Sequence, residues 1–210
     1  MPGTRSIGKQ FEIKGHDVYS IEWNEEFENI DWNVDIGTIT TDDILKRFGV
    51  PDVIWSSPDC TSYSVAGISH HRRKDTDGNL RPISEYAEFC DNVNINMIKL
   101  IDDLLQINPK LIYFIENPRG GMRKMNFIKD KPRYTVGYCS YGDKRQKPTD
   151  IWTNHPDPKF KPLCKPGSPC HEAAPRGSRT GTQALKNAKE RSRIPEQLCE
   201  HIVDICEEYF

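Results

Sequence analysis

The stretch Glu85–Ile107, flanked by two short apolar runs, does most to limit what this chain can become. Its apolar positions Phe89, Val93, Met97, Leu100, Ile101, Leu104 and Leu105 recur at helical spacing. Ser84 stands where an N-cap belongs, and Asn108-Pro109 stops the helix. On either side lie DVIW, within Pro51–Ser56, and LIYFI, Leu111–Ile115. Both are too short for a core helix and too uniformly apolar for a strand with one wet face. Strand, long helix, strand is the parallel crossover unit, and it predicts an α/β fold.

The rest of the chain reads consistently with that unit. A helix is expected around Ile7–Lys14, a strand over Asp17–Glu22, and a short helix over Thr41–Phe48 capped by Thr40 or Thr41. Later strands are expected over Tyr134–Tyr141 and Asp150–Thr153, and a closing helix over Ile194–Tyr209 with Pro195 in its first turn. Residues Ser57–Arg81 and His155–Gln183 read as loops. The expected architecture is a doubly wound, mostly parallel sheet, whose ligands bind beyond the carboxyl ends of its strands. Three regions follow: a catalytic domain over 1–154, a basic loop-rich segment over 155–193, and a C-terminal helix over 194–210 packing on the first.

Charge is unevenly distributed. Arg119–Arg193 carries 18 Lys and Arg against 6 Asp and Glu, in a chain whose overall charge is −2. A basic block on an acidic chain predicts a face for a polyanion. The seven cysteines are odd in number and irregularly spaced, which argues against a secreted disulfide scaffold and for reduced thiols in a cytoplasmic setting. No apolar run reaches the length of a membrane span.

Two constellations carry chemistry. Ser57-Pro58-Asp59-Cys60-Thr61-Ser62-Tyr63-Ser64 puts a thiol in a polar loop directly after a strand, where it is accessible as a nucleophile. Ile115-Glu116-Asn117-Pro118 puts a carboxyl at the end of an apolar strand, where burial costs free energy unless the group has a use. Taken singly, an inert thiol and a strand-end carboxylate explain them as well. Together, at the ends of two strands expected to be adjacent, they resemble the DNA cytosine-5 methyltransferases. That family has Pro-Cys and then an aromatic-Ser pair after one strand, and Glu-Asn after the next.

The start of the chain resembles the same family, and most closely its short phage-encoded members. Gly3-Thr4-Arg5-Ser6-Ile7-Gly8 resembles the glycine-rich cofactor turn, and Ser20-Ile21-Glu22-Trp23 the acidic residue and aromatic that hold the nucleoside. The resemblance implies a Rossmann-like methyltransferase using S-adenosylmethionine and acting on double-stranded DNA as a monomer. Cys60 and Glu116 would be catalytic, and Gly3, Thr4, Ser6, Gly8, Glu22, Trp23, Asp35 and Pro58 would bind the cofactor. Lys147 and Thr149 fall where the family has two late arginines, so Arg145, Lys147 and Thr149 are all candidates for the cytosine carbonyl. Ser64, Arg72, Arg73, Arg145, Arg176 and Arg179 are the expected nucleic-acid contacts.

Two departures stand out. Asp59 replaces the family's second proline, and its charge works against a thiolate at Cys60. The first strand of such a fold belongs before Gly3, where only Met1-Pro2 stand, so that strand is expected to be absent or replaced. Activity on RNA, or binding of nucleic acid without catalysis, are the alternatives. Separately, His155, Cys164, Cys170 and His171 form a candidate zinc set in a segment poor in apolar residues, with Cys139 as an alternative ligand.

Overall fold

In a computed structural model of the chain, the described residues are 5–165, 167–172 and 188–210. Helix α1 (Ser6–Ile13) is followed by the short strands β1 (Ile21–Glu22) and β2 (Trp32–Asn33), and by α2 (Thr41–Phe48). Thr40 and Asp43 close α2 with a reciprocal capping box. Strand β3 (Val53–Ser56) leads into a lobe made of α3 (Ile68–His71) and a hairpin, β4 (Arg72–Lys74) with β5 (Leu80–Pro82). Helix α4 (Glu85–Ile107), capped by the Ser84 side chain, returns the chain to β6 (Ile112–Pro118). Strands β7 (Arg133–Gly137) and β8 (Pro148–Thr153) and helices α5 (Ala188–Ser192) and α6 (Glu196–Tyr209) complete it.

The main sheet has the order β3-β6-β8-β7. Strand β3 runs parallel to β6, whereas β8 is antiparallel to both β6 and β7. Strands β1 and β2 form a separate parallel pair. The sheet is therefore mixed and small, not mostly parallel. The apolar runs reported burial on both faces but carried no sign of strand direction. Burial follows from two covering layers. Tyr113, Ile115 and Trp152 pack with Met97, Leu100, Ile101 and Leu104 of α4. Ile112, Phe114 and Ile151 pack on the other side with Ile7 and Phe11 of α1 and Leu198, Ile202 and Val203 of α6. The period-two alternation along β6 thus feeds two cores.

Three expectations need correction. Residues Ser57–Arg81 are not one loop: they hold a 3-10 turn, α3 and the β4–β5 hairpin. The strand expected over Tyr134–Tyr141 stops at Gly137 and continues as a 3-10 turn over Tyr138–Tyr141. Gly8 lies inside α1, not in a glycine turn; its bare Cα lets the helix approach Val18, whose Cγ1 would stand 3.1 Å from an added Cβ.

Strands β1 and β3 belong to separate sheets, and a largely apolar cavity of about 880 Å³ is lined by Val18–Glu22, by Val50–Ser56 and by residues of α4. None of the described helices is long and apolar enough to cross a membrane.

Candidate active site

The parallel pairing of β3 with β6 sets the site. Ser56 stands opposite Ile115, so the chain leaves the sheet at Ser57 beside Glu116. The amide of Asn117 donates to the Pro58 carbonyl at 3.1 Å and ties the two strand ends together. Asp59 accepts from the Thr61 amide at 2.7 Å, which starts the 3-10 turn Thr61–Tyr63 with Cys60 at its head. That turn is held from behind by Arg72. This guanidinium is 3% exposed, donates to both oxygens of Asp91 (2.7 and 3.0 Å) and to the Ser62 carbonyl (2.9 Å), and lies over the Tyr63 ring. Tyr63 in turn donates to Asp91 at 2.7 Å. Arg72, expected among the nucleic-acid contacts, spends these donors inside the protein, fastening the cysteine loop to α4.

Cys60 is half-buried, and Glu116 and Lys147 are close enough to act on its charge. Burial, then the carboxylates of Asp59 and Glu116, push its thiol up to about 11, and Lys147 pulls it down. Glu116 is 6% exposed and accepts from the Tyr138 hydroxyl at 3.0 Å. Burial lowers the pKa of Lys147, opposed chiefly by Glu116. Its ammonium donates to the Arg191 carbonyl at 2.9 Å and sits over the Tyr138 ring. Thr149 is fully buried and donates to the Lys147 carbonyl at 3.1 Å. Arg145 pairs with its neighbour Asp143. The structure thus gathers Cys60, Glu116 and Lys147, adds Tyr138, which the sequence had not singled out, and turns Arg145 toward a local partner.

The cavity between β1 and β3 reaches this site at Pro58 and Asp59, and Ser6, Gly8, Glu22 and Trp23 also line it. Glu22 is 3% exposed; one carboxylate oxygen accepts from the amides of Trp23 and Asn24, both at 3.1 Å, and the other has no partner among the described residues. Trp23 is half exposed. Asp35 does not line the cavity: its carboxylate accepts from the Gly37 amide at 2.8 Å in a local turn. Gly3, Thr4, Arg176 and Arg179 lie outside the described residues.

A comparison with curated proteins finds a "Probable DNA (cytosine-5)-methyltransferase" of Frog virus 3 (isolate Goorha), 28% identical over 127 residues, or 59% of this chain and 55% of that protein. The chain is similar to a DNA cytosine-5 methyltransferase. It spans about half the length of the curated relative it matches. No family model matches it.

Two further features surround the site. A groove of about 610 Å³ runs between the β4–β5 hairpin and the turn after β6. Exposed Arg73, Lys74, Arg119 and Lys124 line it. Gly120 and Gly121 let that turn close on the cysteine loop, since a Cβ at Gly120 would stand 2.5 Å from the Tyr63 carbonyl. The sequence named Arg73 but missed Lys74, Arg119 and Lys124, because only the tertiary fold brings the hairpin and the turn together. Ser64 stays local, donating to the Thr61 carbonyl at 3.1 Å.

Near the far end of β7, Cys139, Cys164, Cys170 and His171 bring four donor atoms within 4.8 Å of one another. His155 is not in this group; it faces the Tyr209 ring and accepts from the Asp157 amide at 3.2 Å. The fourth donor is Cys139 because the 3-10 turn after β7 points its thiol at the 164–171 strap.

Proposed function

We propose that this chain is a DNA cytosine-5 methyltransferase that uses S-adenosylmethionine and acts through a covalent adduct at Cys60. The observation that carries the reading is the convergence of one thiol, one buried carboxyl and one ammonium at the ends of β3 and β6. Beside them opens a cavity of the size small-molecule cofactors occupy. The two parallel pieces, β1–β2 and β3–β6, read as parts of one doubly wound methyltransferase sheet interrupted by that cavity.

The cavity fits the methyl donor. A buried carboxylate oxygen without a partner is costly and suits a ligand hydroxyl, so Glu22 would take the ribose. Exposed Trp23 offers an apolar face to a purine, and Gly8 and Pro58 would complete the walls. When bound there, S-adenosylmethionine supplies an electrophilic methyl group.

The chain's own residues prepare the base to receive it. Cytosine must leave the stack, because its ring cannot be reached inside a duplex. The Cys60 sulfur then forms a bond to C6, and the C5–C6 electron pair moves onto C5. The Glu116 carboxyl faces N3 and places a proton there as sulfur adds, which drains charge from the ring and makes C6 electrophilic, and takes it back when sulfur leaves. The Tyr138 hydroxyl fixes the Glu116 carboxyl. After C5 is methylated, its proton leaves to solvent and the sulfur–C6 pair returns to sulfur. The thiol, pushed up to about 11, gives its proton to solvent as sulfur bonds to C6; the Lys147 ammonium favours the thiolate charge and Asp59 opposes it.

DNA is the proposed partner, lying along the groove of Arg73, Lys74, Arg119 and Lys124 and reaching the basic segment within 155–193. The C-terminal helix would brace the catalytic domain spanning 1–154. A reading as a nucleic-acid-binding protein without catalysis is favoured by one observation, the carboxylate of Asp59 beside the thiol. Duplex DNA containing 5-fluorocytosine, incubated with protein and tritiated S-adenosylmethionine, separates the two. The enzyme gives a Cys60-dependent adduct that survives denaturation. No adduct, with DNA binding unchanged in Cys60→Ser, leaves the binding protein.

A further inference from the structure

The described part of 155–172 has no helix or strand of its own and contributes few buried side chains. Three thiols and an imidazole meet where it passes the 3-10 turn after β7. Cys139 Sγ stands 3.1 Å from Cys164 Sγ and 3.7 Å from Cys170 Sγ. His171 Nδ1 stands 3.5 Å from both Cys164 Sγ and Cys170 Sγ.

These spacings match the edges of a zinc tetrahedron. With Zn–S near ~2.3 Å and Zn–N near ~2.0 Å, sulfur–sulfur edges are about 3.8 Å and sulfur–nitrogen edges about 3.5 Å. Three of these four separations agree closely with those edges, and the Cys139–Cys164 pair, at 3.1 Å, opens by about 0.7 Å to hold the ion. An outer layer is also in place. The Gln146 side-chain amide donates to the Cys164 carbonyl at 3.1 Å and lies 3.4 Å from its sulfur, aimed to stabilise a thiolate.

We propose that Cys139, Cys164, Cys170 and His171 bind one structural zinc ion that staples the 155–172 strap to the catalytic sheet. Three sulfurs and one imidazole fill a tetrahedron, so the metal has no open position and takes no substrate. Its effect on the site is mechanical. Cys139 follows Tyr138 in the chain, and Tyr138 donates to Glu116. The zinc therefore anchors the turn that orients the carboxyl. The proposal is independent of the methyltransferase reading and stands if no methylation occurs.

The test is metal analysis of the full chain, expressed in zinc-supplemented medium and freed of loose metal by brief dialysis against chelator. About one zinc per chain is expected, together with its release when a mercurial titrates the thiols. Replacement by cobalt should give the visible bands of a tetrahedral ion and a thiolate charge-transfer band. Cys139→Ser and Cys170→Ser should each lower bound zinc at least tenfold, and His155→Ala should leave it at one per chain. Since a ligand variant can fail to fold, the wild-type stoichiometry decides. A folded, metal-free wild type, a Cys139–Cys164 disulfide in its place, or iron as the bound metal would each overturn the proposal.

Discussion

The two halves of the molecule are built on opposite terms. From β6 to β7 every neighbouring strand is paired, both faces are covered, and buried charge is matched: Asp150, fully buried, accepts from Arg123 and Thr135. From β3 to β1 the sheet stops, and an apolar cavity takes the place of backbone pairing. Glu116 belongs to the first half and Glu22 to the second. Both are buried carboxyls, but one has the Tyr138 hydroxyl on it, while the other keeps an oxygen with no partner among the described residues. Under the proposed function, the first carboxyl is held rigidly for proton placement and the second is kept for a ligand.

Breaking the paired half should cost most. Phe114→Ala removes a fully buried ring from β6 and should lower stability by about 3–5 kcal/mol in urea unfolding. Ile54→Ala, beside the cavity, should cost clearly less. Equal losses would mean that the cavity closes in solution.

Arg72→Ala comes next. It leaves Asp91 and the Ser62 carbonyl without their buried partner, at a cost of about 3 kcal/mol. It should also loosen the cysteine loop, read as faster proteolysis within 57–71. Arg73→Ala, one residue on, should leave stability unchanged and reduce the salt dependence of DNA binding by a slope of about 1.

Glu22→Gln sharpens the comparison from the other side. Because one oxygen has no partner to lose, stability should change by less than about 1 kcal/mol. Affinity for S-adenosylmethionine, measured by calorimetry, should fall about tenfold or more. A destabilised variant with unchanged affinity would make Glu22 a structural group.

The smallest effect concerns Cys60. A thiol raised to about 11 is neutral below that pH. Its alkylation, followed by mass spectrometry of the Cys60 peptide, should therefore keep rising with pH, whereas an ordinary thiol levels off past about 8.5. Asp59→Asn removes one of the carboxylates that raise it, and should speed alkylation at neutral pH a few-fold. No change would mean that the Asp59 charge does not reach the thiol.

Much of this was legible in the residues. Ser84 and the apolar spacing through Leu104 gave helix α4 both its ends, because capping and periodicity act within a turn or two. The apolar runs before Ser57 and Glu116 gave the two strand ends. Strand direction was not legible: the run Leu111–Ile115 is apolar whether β8 runs with β6 or against it. Nor was the fate of Arg72, next to Arg73 in a basic stretch, since its burial depends on Asp91 two elements later.

What the sequence by itself determined are the short-range matters: where helices start and stop, which runs are buried, and that a thiol and a carboxyl each end a strand. Only the tertiary structure decided which distant groups meet. Cys139 rather than His155 joins Cys164, Tyr138 reaches Glu116, and β1 stands apart from β3 across a cavity. The reason is physical. Caps and periodicities are satisfied by neighbours in the chain, whereas a four-donor cluster or a cleft is satisfied only by segments that folding brings together.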